Sequence, residues 1–317
     1  MSTALKPKLT RFRAYQLGEE GSSFSYFDGS HFTLIEARVT DLSRPRIKAE
    51  LQHCGVTTIN CLHITSLDDD HCTEDNLKEI LTWLEPQCVE YPGYDPHTNN
   101  GKACLRLISD YKQKHASRTT QKVDPPYIKS LDEAEKWGYR DIIYWPRELS
   151  DKSNDNSTVK LFRTGCFNVA SLGDVESLDV SSYLKNCHTF ADEVDVMVLA
   201  HHGADNGFTT NAFLRKTRPR VAICSSNYDN QFEHPKQEIR DLLYEYEIPI
   251  YTTKTGDVVV LSEPPHTRRY KVVNLIADST EVSSEKEFTT RKSKTLGHNM
   301  DTVRDIYAHR PNPFKRF

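Results

Sequence analysis

Between residues 159 and 261 the chain alternates short apolar runs with amphipathic stretches, and this rhythm constrains the fold more than any other feature. The runs at 159–162, 167–171, 194–200, 220–224, 248–252 and 258–261 have the length and β-branched content of strands. Helices fit between several of them, notably over 211–217 and 235–246. Strand and helix in alternation imply an α/β layered architecture, because each element has one apolar face to bury against the next layer.

The first half is compatible with the same plan. Residues 12–39 alternate polar and apolar side chains around Gly18, Gly21 and Asp28-Gly29, which suits short antiparallel strands. Residues 46–54 read as a short helix, and 57–64 as a strand that ends where an acidic cluster begins. Beyond that cluster, Thr73 is a good N-cap and Glu74 and Asp75 complement the helix dipole. Leu77, Ile80, Leu81 and Leu84 then repeat at helical spacing before Pro86. Residues 89–155 are less regular, with a helix expected over 103–114. From about Glu263 the pattern weakens, and residues 291–317 hold Arg291, Lys292, Lys294, Arg304, Arg310, Lys315 and Arg316. The reading is therefore one domain over 1–262 and a basic C-terminal extension over 263–317.

Charge narrows the classes of partner. A net charge of −4 excludes a generic polyanion binder, so any nucleic-acid contact needs a local positive field. The longest apolar stretch, 194–200, is far short of the roughly 20 residues that span a bilayer, and no apolar segment follows the charged N-terminus. These features suggest a cytoplasmic protein. The eight cysteines form no C-x-x-C pair and fit reduced thiols; Cys72, next to His71, reads as a buried thiol.

Four segments carry candidate chemistry. In Thr65-Ser66-Leu67-Asp68-Asp69-Asp70-His71, three carboxylates and an imidazole crowd between a strand and a capped helix. A divalent cation would relieve their repulsion, and an acidic approach to a helix N-terminus is the plainer alternative. Ser171-Leu172-Gly173-Asp174 ends a strand on a carboxylate, where an ordinary Gly-Asp turn would also serve. An apolar strand ends in His201-His202-Gly203, and alternation along a strand would send only one of the two imidazoles into a given site. Finally, Pro235 presents His234 ahead of a helix, where a surface histidine is the bland alternative.

The order and strand-end placement of these four segments resemble the ComEC-type (competence protein) branch of the metallo-β-lactamase superfamily. There, a His-x-Asp-x-Asp-His loop precedes strands ending in Gly-Asp and His-His-Gly, and then a His-Pro. Asp68, Asp70 and His71 match the first motif, Gly173-Asp174 the second, His201-His202-Gly203 the third and His234-Pro235 the fourth, over roughly residues 10–261. Ser66 stands where the family has its leading histidine, and residues 34–38 contain no counterpart of the family's Asp-Gly.

The resemblance implies an αββα sandwich and a two-metal hydrolase. Asp174 would bridge the ions, and Asp70, His71 and either His201 or His202 would hold the better-defined one. Asp68, helped by Ser66 or by a middle-region group such as His97, would hold the weaker. Asp70 would also serve catalysis, with His234 and the histidine of the pair that is not a ligand donating a proton or binding phosphoryl oxygens; Ser66 and His234 would face substrate. Mn²⁺ or Zn²⁺ are the implied ions, with Mg²⁺ also suited to an oxygen-rich site. DNA is the implied substrate, with the basic extension giving phosphate contacts or docking a protein partner. A small cyclic nucleotide is the alternative substrate, and a non-catalytic binding module of the same fold is the rival class.

Overall fold

A computed structural model describes residues 7–133 and 140–292. Strands β1 (Arg11–Ala14), β2 (Phe24–Phe27) and β3 (Phe32–Ile35) form an antiparallel meander. Helix α1 (Ser43–His53) leads to β4 (Cys61–His63), α2 (Glu74–Trp83) to β5 (Cys88–Pro92), and α3 (Asn99–Lys114) to β6 (Thr119–Val123); β3 to β6 run parallel. After α4 (Pro125–Glu133), strands β7 (Ile142–Trp145), β8 (Val159–Phe162) and β9 (Val169–Ser171) open a second sheet with antiparallel pairings. Helices α5 (Leu178–Asn186) and α6 (His188–Glu193) lead to β10 (Val196–Val198), α7 (Asn211–Thr217) to β11 (Val221–Cys224) and α8 (Gln237–Glu245) to β12 (Ile250–Thr252). Strands β9 to β12 are parallel. The chain then rejoins the first sheet through β13 (Val258–Ser262), β14 (Arg269–Leu275) and β15 (Val282–Thr289).

Three apolar clusters define four layers. Leu34, Leu62 and Val89 of the first sheet pack with Ile47, Ile80 and Ile108 of α1, α2 and α3. Ala170, Met197 and Ala222 of the second sheet pack with Leu184, Phe190, Phe213 and Leu243 of α5 to α8. Between the sheets, Phe12, Phe24, Tyr26 and Ile35 meet Phe162, Val169, Val198 and Ile223. The expected αββα sandwich is what the layers form. Thr73 caps α2, its hydroxyl accepting from the Asn76 N–H, and Cys72 is buried with its Sγ 3.5 Å from that of Cys104.

The expected boundary at 262 is corrected by the sheet itself. Strand β14 pairs antiparallel with β13, and β15 with β14, so residues 269–289 extend the first sheet. Arg291 and Lys292 also belong to the body. The Arg291 N–H donates to Asp195, and buried Lys292 donates to the carbonyl of Gly165 and to Asn168. The remaining basic residues expected in the extension lie outside the described residues. Among the described residues no helix is long and apolar enough to cross a membrane.

One buried ion pair ties the sheets together. Lys160 of β8 donates to Glu90 of β5 at 2.6 Å, and Glu90 also meets His63 Nδ1 at 2.9 Å. Burial opposes the Glu90 charge, but Lys160 and His63 outweigh it and hold the carboxyl well below its usual range. Removing one partner strands the other in the interior, so Glu90→Gln is expected to cost about 3 to 5 kcal/mol in denaturant titrations. Because the folded-state pKa is lowered, this contribution is complete above about pH 4.3 and is lost as pH falls further. An unchanged midpoint at neutral pH, or a gap between variant and wild type that widens in acid, would contradict this account.

Candidate metal centre

The site is assembled from the carboxyl ends of parallel strands in both sheets. Glu36 follows β3, Thr65 to His71 follow β4, Asp174 follows β9, His202 follows β10 and Ser225 follows β11. Loops at such ends are where open α/β sheets place ligands. Backbone bonds fix these ends in place. Thr158 N–H donates to the Thr65 carbonyl at 2.9 Å, and His201 N–H to that of Gly173 at 2.9 Å. Gly173 sits at φ +56°, where a Cβ would come within 3.0 Å of the Thr65 side chain, so only glycine lets the end of β9 close on the end of β4.

Asp70, His71, Asp174 and His202 converge, each offering one ligand atom within 4.8 Å of the others. His71 Nε2 is 2.8 Å from Asp174 Oδ2 and 3.8 Å from Asp70 Oδ2. His202 Nε2 is 3.1 Å from Asp70 Oδ2 and 3.8 Å from Asp174 Oδ1. Both imidazoles are oriented from behind. His202 Nδ1 donates to the Ser225 carbonyl at 2.8 Å. His71 Nδ1 faces the buried Glu36 carboxylate at 3.2 Å, and that carboxylate also accepts from Thr65 N–H at 3.0 Å and Thr65 Oγ1 at 2.5 Å. A carbonyl and a carboxylate can only accept, so each Nδ1 carries a proton and each Nε2 is the nitrogen turned towards the two aspartates.

Electrostatics express the same demand. Burial disfavours a charged His71, yet Asp174, Asp70 and Glu36 raise its proton affinity well above the ordinary value. The Asp174 carboxyl is held low despite burial, chiefly by His71. His71 Nε2 and Asp174 Oδ1 are nevertheless buried without a hydrogen-bond partner, despite the short separations. Two carboxylates and two imidazole Nε2 atoms gathered at one point, with orphaned atoms among them, fit a divalent cation, which would take the place of the protons.

The expected residues divide cleanly. His202 joins the cluster and His201 does not: its Nδ1 lies 3.4 Å from Glu176 and from the Asn206 amide. Strand alternation does not decide the matter. Both histidines sit in a left-handed turn at φ 46° and 53°, a conformation costly for residues with a Cβ and most often kept at functional sites. Asp68 and Ser66 pair with each other instead, Oγ to Oδ2 at 3.1 Å, and Ser66 Oγ lies 3.3 Å from the Tyr94 hydroxyl. His97 is exposed. His234 flanks the cluster, its ring parallel to that of His202 at 6.2 Å. Burial and the neighbouring His202 and His201 push it down to about 4, so it stays neutral at pH 7. Glu36, with φ 69°, is the important group that no sequence motif marks, and it stands within the segment lacking the family's Asp-Gly.

No family model matches the chain. ComE operon protein 3 of Bacillus subtilis (strain 168) is 29% identical over 209 residues, covering 65% of this chain and 25% of that protein. The chain thus spans about a quarter of that relative's length. Among solved structures it is similar to the metallo-beta-lactamase fold protein YhfI from Bacillus subtilis, with a TM-score of 0.49, 9% identity and coverage of 80% of this chain and 100% of that one. It is also similar to Igni18, a metallo hydrolase from Ignicoccus hospitalis, with a TM-score of 0.46, 13% identity and coverage of 78% and 98%.

The backing of His71 yields a test. Glu36→Gln removes the anionic acceptor while keeping the side chain's shape, and is expected to weaken divalent-ion binding about 10- to 100-fold. Isothermal titration with Mn²⁺ and Zn²⁺ measures it, and equal affinities in wild type and variant would show that Glu36 does not orient the ligand.

Proposed function

We propose that this protein is a metal-dependent hydrolase of the metallo-β-lactamase type that cleaves phosphodiester bonds, with DNA as its substrate. The observation that carries the reading is the convergence of two imidazole nitrogens and two carboxylates on one point at the meeting of the sheets. The sequence match to ComE operon protein 3 supports the choice of DNA-related chemistry.

Asp70, His71, Asp174 and His202 would hold the ion, which would supply an acidified water and charge compensation for a phosphoryl oxygen. The chain does the rest by positioning. Glu36 and the Ser225 carbonyl keep the two Nε2 atoms aimed, and Ser225 Oγ, which donates to the Gly21 carbonyl at 2.9 Å, ties the β11 end to the first-sheet loop over the site. His234, neutral and half-buried beside His202, offers its ring N–H to an oxygen of the substrate. Asp68 and Ser66, paired with each other, would be the residues to hold a second ion. Mixed nitrogen and oxygen donors favour Mn²⁺ or Zn²⁺, and the oxygen-rich second position suits Mn²⁺ or Mg²⁺.

Ser66 in place of a histidine favours one rival, a binding module of the same fold without turnover. The two are separated by incubating single- and double-stranded DNA, RNA and cyclic dinucleotides with the protein under Mn²⁺, Zn²⁺ and Mg²⁺. The expected outcome is DNA cleavage that Asp70→Ala and Asp174→Ala abolish without lowering the melting temperature by more than a few degrees. Cleavage of cyclic dinucleotides alone would move the substrate to the small nucleotide, and undiminished turnover in both variants would sink the hydrolase reading. Metal analysis showing less than about one ion per chain would support the binding module.

A further inference from the structure

The loop between β11 and α8 carries an aromatic surface that hydrolysis alone leaves unused. Phe232 is 54% exposed and Tyr228 78%, both large rings in water beside a polar cluster. One side of Phe232 rests on His234, with ring centroids 5.6 Å apart and planes at 23°, and His234 in turn lies parallel to His202 at 8°. Three rings therefore step from solvent down to the ion-binding groups. The loop is held in place. Asn230 Oδ1 accepts the His234 N–H at 2.6 Å, Asn230 Nδ2 donates to the carbonyls of Asn227 and His234, and Gln231 donates to Glu20 at 3.2 Å. Asp70, His202, Asn227, Asn230, Phe232 and His234 line a common groove, in which Asn227 Oδ1 is buried without a hydrogen-bond partner.

The composition of this loop names its ligand class. Residues 225–236 offer three amides, two exposed rings and two acids, and the one cation among them, Lys236, lies 3.7 Å from the Glu233 carboxylate. Cations grip the phosphate backbone, whereas rings and amides meet the faces and edges of bases. We propose that Phe232 is a stacking platform for the nucleobase next to the scissile phosphodiester, with the Asn227 amide meeting the base edge. This rests on the phosphodiesterase reading above and deepens it from a phosphate chemistry to a base-bearing substrate. Base-on-ring stacking tolerates any base, so the platform positions a nucleotide without selecting sequence.

The test separates the platform from the hydrolysis. A trinucleotide carrying 2-aminopurine is titrated into the protein in the presence of chelator, so that binding is read as fluorescence quenching with no ion involved. Quenching is expected in wild type, a Kd weaker by about tenfold in Phe232→Ala and Phe232→Leu, and near-wild-type binding in Phe232→Tyr. An abasic trinucleotide of equal charge should compete about tenfold less well than the base-bearing one. Absence of quenching in wild type, equal Kd values for Phe232→Ala and wild type, or equal competition by the abasic strand would overturn the platform. With Mn²⁺, Phe232→Ala is expected to raise KM about tenfold on base-bearing strands and to leave KM on abasic strands unchanged. Cleavage with KM unaffected by either the base or Phe232 overturns the platform and leaves hydrolysis standing. Phe232-dependent quenching without cleavage of any phosphodiester supports the platform and overturns the hydrolase.

Discussion

Everything at the site depends on bringing like charges together from two different sheets. Asp70 and Asp174 would repel across a few ångströms in a poorly solvated space, and the fold offsets this with His71 and His202 interleaved between them. Each imidazole is locked by an acceptor behind it, so the balance does not rely on side chains finding one another. The backbone bond from Thr158 to Thr65 joins the two sheet edges into one rim, and that from His201 to Gly173 ties the ends of β9 and β10 within the second sheet. Backbone of the Gly21 loop adds to it, with Ser22 N–H donating to the Asp70 carbonyl at 2.9 Å. A Cβ at position 21 would sit 2.6 Å from that carbonyl, so this glycine lets the loop close over the acidic segment.

Much of this was legible in the chain because buried parallel strands read as apolar runs. Strand β8 and helix α7 fall where the pattern places them, and the Thr73 cap follows from side-chain chemistry alone. The misses have physical causes. Strand β15 is exposed along nearly its whole length and carries no apolar alternation, whereas β14, with Tyr270, Val272, Val273 and Leu275 buried, is a readable strand that the boundary at 262 leaves out. The expected strand over 57–64 shrinks to Cys61–His63, with Asn60 at its edge bonded to Phe32 through both its backbone N–H and its side-chain oxygen. His201 and His202 could not be told apart, since their directions are set by a left-handed turn that no periodicity encodes. Glu36 was invisible for a similar reason. Its role arises from a left-handed backbone at the end of β3 that turns an ordinary surface-type residue inward to Thr65 and His71.

Four of the nine non-glycine residues in the left-handed region among the described residues, Glu36, His201, His202 and Glu233, lie around this rim, each at a cost of order 1 kcal/mol or more. Such strain persists only where the surroundings over-determine it, and here the determinants are visible: a carboxylate with three donors, a carbonyl behind an imidazole, an asparagine gripping the turn before Pro235. At this rim the strained backbone stands beside two buried polar atoms without a hydrogen-bond partner, His71 Nε2 and Asp174 Oδ1, a combination that a bound ligand would complete.

The departure at position 66 changes the balance between the two sides of the centre. A histidine there would add a nitrogen lone pair to the side bearing Asp68; Ser66 instead is buried and engaged with Asp68 and with Tyr94, whose hydroxyl also accepts the Leu67 N–H at 2.9 Å. Burial, together with the charges of Asp174 and Asp70, raises the Asp68 carboxyl above its ordinary value, and the Ser66 hydroxyl works against that rise. The side bearing Asp68 offers one carboxylate and neutral oxygens, while the other gathers two imidazoles and two carboxylates. The two sides thus differ in softness and charge, and the asymmetry comes from one side chain exchanging nitrogen for a hydroxyl that the surrounding loop has already satisfied.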